Sequence, residues 1–170
     1  MEKNLSDLYD SLQKLTGLHR QLLEIVRLEK TALIDADLKA VHAVTAKKQS
    51  LIEQVQQEEN RRLKFVGEIS MDWKRAVKDL TLPNIVIEIQ AKDPKGAEQL
   101  RSIFNALTVL IQRITEQNAS NRSLIERSLE HIGEMKRNVL GEATVKSDTY
   151  TQKGSKTTGT PASRLFSGEA

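Results

Sequence analysis

The chain has 170 residues, of which 38% are hydrophobic, 29% charged and only 4% aromatic, and its formal net charge is +3. Such a length suits one domain or slightly more, with a core built mostly from Leu, Ile and Val. The absence of cysteine excludes disulfide frameworks, thiol catalysis and thiolate metal sites, and the shortage of turn residues (eight Gly and three Pro) argues against an all-β body. Residues 1–60 hold 8 basic and 10 acidic groups, and residues 61–170 hold 18 and 13. Both signs interleave at helical spacing, so the charge describes solvated helix faces rather than a nucleic-acid footprint. The opening MEKNLSDLYD is mixed in charge and is no secretory signal. No window approaches the roughly 18–20 apolar residues of a membrane span, and a cytoplasmic protein is expected.

The first predicted element is a helix over residues 3–34. Leu5, Leu8, Leu12, Leu15, Leu22 and Val26 recur every three or four positions, with His19 in the same seam and Leu18, Leu23 and Ile25 widening it. Gly17 costs at most about 1 kcal/mol there. Asp35-Ala36-Asp37 then makes a turn with a carboxylate placed to cap a second helix. That helix is predicted over Leu38–Val66, on a stripe of Leu38, Val41, Val44, Leu51, Val55 and Phe65 interrupted by Lys48 and Arg62. Two helices of similar length joined by a few residues form an antiparallel hairpin most simply.

Gly67 is expected to end the second helix and open a less regular stretch. Ser70 is placed to cap a short helix carrying Trp73, Val77 and Leu80. A further short segment, Asn84–Ala91, follows Pro83. Its Ile85, Ile87 and Ile89 alternate as in a strand, but a lone strand would have no partner, and helix is the expectation. Asp93-Pro94 pairs a capping carboxylate with a first-turn proline. From there an apolar stripe of Leu100, Ile103, Leu107, Leu110 and Ile114 resumes at Leu124, Ile125, Leu129 and Ile132 and ends near Leu140. This helix has about 47 residues, roughly 70 Å at ~1.5 Å per residue. Between Ile114 and Leu124 the stripe turns polar at Gln117, Asn118 and Asn121, as though the helix changes or loses its partner. The expected fold is therefore all-α: a helical hairpin plus a long third helix in an elongated coiled-coil-like bundle, with short helices between. Residues 1–140 form the helical domain, and residues 141–170, rich in Ser, Thr, Lys and Gly, form a flexible tail.

A search for catalytic chemistry finds little. His19, His42 and His131 lie on three separate segments without metal-ligand spacing, and no carboxylate pair stands out as an acid–base couple. Gly154-Ser155-Lys156-Thr157 lacks the upstream glycine and the flanking strand of a phosphate loop. No enzyme activity, metal or cofactor is expected. The informative segment is Asn118–Ile132, NASNRSLIERSLEHI. Its apolar residues are either the core stripe of a helix or an uncovered face on which another helix docks; cargo and a second copy of the chain are both candidate occupants.

Four features in order give the chain a wider resemblance. The opening helix runs into Leu28-Glu29-Lys30-Thr31-Ala32-Leu33, and the break at Ile34-Asp35-Ala36-Asp37-Leu38 leads into Lys47-Lys48-Gln49-Ser50-Leu51-Ile52. The motif Asn118…Asn121…Leu124-Ile125…Ser128-Leu129 comes late in the long helix, and Tyr150 precedes Gly154 at Tyr-x-x-x-Gly spacing. Over roughly residues 3–154 the chain resembles the FlgN family of bacterial flagellar export chaperones. The resemblance implies a helical protein that binds the terminal segments of hook-associated proteins, which are disordered before assembly, and hands them to the export apparatus. It implies Asn118, Asn121, Leu124, Ile125, Ser128 and Leu129 as cargo-binding positions, to which the apolar stripe adds Ile132, and Tyr150 as a contact for the cytoplasmic domain of the export-gate membrane protein. The alternative is a structural coiled-coil protein that forms a homodimer through the same stripe.

Overall fold

The computed structural model describes residues 2–140, and the chain divides into two compact units at the Leu129–Glu130 boundary. The described residues are all-α: α1 (Glu2–Ile34), α2 (Leu38–Trp73), α3 (Leu82–Ile89) and α4 (Pro94–Leu140), with a single 3-10 turn at Val77–Asp79. The second unit contributes only the last turns of α4 to the described residues. The predicted tail, including Tyr150 and Gly154, lies outside them.

The hairpin forms as its sequence directs. At the end of α1, Ala36 takes a left-handed φ of 52°, so that the amides of Ala36 and Asp37 reach back to the carbonyls of Leu33 and Ala32 and satisfy two of the helix's orphan acceptors. Asp37 then accepts the Ala40 amide at 3.0 Å and caps α2. One three-residue connection thus closes one helix and opens the next.

α2 departs from expectation. It continues through Gly67 to Trp73, and Ser70 sits in its last turns rather than at a new cap. A helical glycine costs about 1 kcal/mol, less than the burial of Val66 and Ile69 on either side of it returns. The helix ends at Lys74, again left-handed at φ 53°, with the Lys74 and Arg75 amides bonded to Met71 and Ser70. In α3 the alternating isoleucines resolve as a helix: Ile85 and Ile89 are buried one turn apart, while Ile87 faces solvent at 68% exposure. α4 begins where Asp93-Pro94 predicts, with Asp93 accepting the Gly96 amide at 2.9 Å.

α1 and α2 pack most closely. One buried cluster joins Leu8, Leu12 and Leu15 of α1 to Val66 and Ile69 of α2, Ile85, Val86 and Ile89 of α3, and Ala97, Leu100 and Leu107 of α4. A second gathers Leu22, Leu23 and Val26 with Leu51 and Ile114. Both follow a seven-residue recurrence, the geometry of coiled-coil seams. In α4 the positions 100, 107, 114 and 121 are all buried, and 103, 110, 117 and 124 are all half-buried. In α1 the corresponding row is Leu8, Leu15, Leu22 and Glu29; in α2 it is Lys48, Val55, Arg62 and Ile69.

Candidate functional site

The polar break in the stripe of α4 is not a loss of partner. Asn121 is 2% exposed, and its amide nitrogen donates to the Val26 carbonyl at 2.9 Å and to Glu29 Oε2 at 2.8 Å. Its oxygen accepts from Gln117 at 3.1 Å. Glu29 Oε2 also receives Lys48 Nζ at 2.8 Å, and that ammonium donates to Asn118 Oδ1 at 2.9 Å. Glu29 and Lys48 are themselves largely shielded. In the sequence Lys48 stands only as an interruption of the α2 stripe, and nothing local there marks out Glu29. A charged residue on each of two facing seams, opposite an asparagine on a third, was the available signal.

These bonds commit Asn118 and Asn121 within the chain, so direct cargo contact at Asn121 requires α4 to leave the hairpin. Leu124, the last half-buried position of the seam, lies just beyond them. Ile125 and Leu129 follow, 43% and 63% exposed. Ser128 is exposed, and its hydroxyl turns back to donate to the Leu124 carbonyl at 2.9 Å. The first unit therefore presents two large apolar side chains to solvent, one turn apart, directly after the half-buried Leu124.

In the second unit Ile132, Met135 and Val139 are exposed and, with Lys136, line a shallow apolar depression. Of these only Ile132 is among the residues singled out from the sequence; Met135 and Val139 continue its spacing by three and four, which was the available signal.

Elsewhere the first unit holds a cavity of about 750 Å³ lined by Tyr9, Trp73, Arg75, Glu88, Lys92 and Leu100 among others; its Arg75 and Glu88 are paired to each other at 3.1 Å. His19 is half-buried in its seam, its Nδ1 2.7 Å from the Leu15 carbonyl, and His42 and His131 are exposed. Among the described residues no three His, Asp or Glu side chains group as metal ligands, and no helix is long and apolar enough to cross a membrane.

Neither a curated protein nor a solved structure matches the chain. A family match does: the FlgN protein family covers residues 1–158, taking in the hairpin, the polar contacts of Asn118 and Asn121 and the exposed end of α4. The chain belongs to the FlgN family of flagellar export chaperones.

Proposed function

We propose that this chaperone binds the terminal amphipathic segments of hook-associated proteins in the cytoplasm, keeps them from assembling early and delivers them to the cytoplasmic domain of the export-gate membrane protein. The observation that carries the reading is the pair Ile125 and Leu129, solvent-facing immediately after the α4 seam ends at Leu124. Exposed apolar side chains at helical spacing suit an amphipathic helix laid against them. Ordering such a segment costs about 2–5 kcal/mol of the gross interaction, which keeps the complex reversible, as delivery demands. Leu124 borders the contact, Ser128 lies at its rim, and Asn118 and Asn121 support it from within. Ile132 offers the same chemistry in the second unit.

Pull-down of hook-associated proteins tests the reading. Ile125→Glu and Leu129→Glu are each expected to weaken capture at least tenfold, with far-UV helicity unchanged because both sites are exposed. Ile132→Glu is scored separately. Normal capture by both Ile125→Glu and Leu129→Glu would refute the docking face. Tyr150→Ala should spare cargo and weaken binding to the isolated gate domain; equal affinity of variant and parent for that domain removes the assignment of Tyr150.

A second reading has one observation in its favour: Ile132, Met135 and Val139 make an apolar patch that a second copy of the chain would also cover. Analytical ultracentrifugation separates the two. A tight dimer that dissociates in Val139→Glu and ignores cargo supports self-assembly, and a monomer supports the chaperone reading.

A further inference from the structure

Three seams of seven-residue period run through the first unit; those of α1 and α4 are apolar up to one level, where both turn polar opposite Lys48 of the α2 seam. Leu8, Leu15 and Leu22 lead to Glu29; Leu100, Leu107 and Ile114 lead to Asn121; Ile69, Arg62 and Val55 lead back to Lys48. Glu29 Oε2 takes Lys48 Nζ and Asn121 Nδ2, each at 2.8 Å, so a single carboxylate oxygen ties α1, α2 and α4. Beyond Ile114, Asn121 is the one fully buried side chain of α4 within the first unit.

Apolar seams are permissive. A helix gripped by Leu and Ile can slide one turn, about 5.4 Å, and meet similar surface. A buried donor must instead find its acceptor, and leaving it unpaired is costly. A single polar residue on an otherwise apolar seam is the best-attested device for fixing register.

We propose that Glu29, Lys48 and Asn121 form a polar layer that sets the register of α4 on the hairpin and so determines which side chains of α4 face solvent after Leu124. They are positioning residues. Their consequence for cargo rests on the docking reading above, whereas their effect on register does not.

The chain has no cysteine, so a spin-label pair can be introduced cleanly at two exposed sites, Lys39→Cys on α2 and Glu126→Cys on α4. Pulsed electron resonance on the full chain, without cargo, should give one narrow distance in the parent. In Glu29→Leu/Lys48→Leu/Asn121→Leu, helicity and thermal midpoint should hold, because an apolar layer replaces a polar one of similar volume. The distance should then broaden or split by about one helical turn, ~5 Å. One unshifted narrow distance in the triple variant would overturn the proposal. Should the triple variant lose helicity, Asn121→Leu alone decides by the same criterion. Cargo pull-down on the same proteins separates the two claims: a shifted register with undiminished capture keeps the polar layer and refutes the docking face.

Discussion

At the scale of single residues, the glycines divide by what stands beside them. Gly67 lies inside α2, and a side-chain carbon built there meets nothing within 4 Å. Gly67→Ala therefore removes backbone entropy from the unfolded chain at no steric cost and should stabilise by about 0.5–1 kcal/mol. Gly96 is the opposite case. A Cβ there would run into the Asp93 carboxylate that caps α4, so Gly96→Ala displaces the cap, and the loss of about 1 kcal/mol offsets the gain that alanine brings within the helix. The urea midpoint should rise in Gly67→Ala and stay close to the parent's in Gly96→Ala. In sequence Gly67 reads as a turn signal, and that signal misled: the neighbouring Val66 and Ile69 are buried strongly enough to carry the helix through.

At the scale of elements, α3 shows how little of an eight-residue helix a pattern can settle. Ile85, Ile87 and Ile89 fit alternation by two as well as a turn of helix, and only burial separates the readings: Ile85 and Ile89 are inside, Ile87 outside. Ile85→Ala should cost about 2–5 kcal/mol, and Ile87→Ala should stay within about 0.5 kcal/mol, both read by urea denaturation. A strand would have put all three on one face and given them similar costs. The starts of α2 and α4 were legible because they carry local chemistry, Asp37 on the Ala40 amide and Asp93 on the Gly96 amide. The end of α2 was not, because Lys74 adopts a left-handed backbone where glycine would have advertised it.

Across the whole molecule, the two buried clusters of the first unit are built on the same three long helices, which predicts that they unfold together. Leu12→Ala in one and Leu23→Ala in the other should each remove about 2–5 kcal/mol and lower a single urea transition without changing its slope. Two separated transitions would show independent cores. The apolar part of this arrangement was readable from residue spacing. The polar part was not: Lys48 reads as a defect in one stripe, Asn121 as a weakening of another and Glu29 as nothing in particular, and only folding brings Lys48 and Asn121 to one oxygen of Glu29. Recognition of the candidate site was limited in the same way. Ile125 and Leu129 carried their spacing in the sequence, but whether a leucine is covered depends on helices far away along the chain.

The thioether of Met135, 53% exposed between Ile132 and Val139, gives that patch a chemical lifetime. Peroxide converts methionine to a polar sulfoxide, and both buried clusters are free of sulfur. Oxidative ageing would therefore erode the greasy surface of the second unit while leaving the folded interior of the first intact, so a preparation could keep its helical spectrum long after that surface had lost its chemistry.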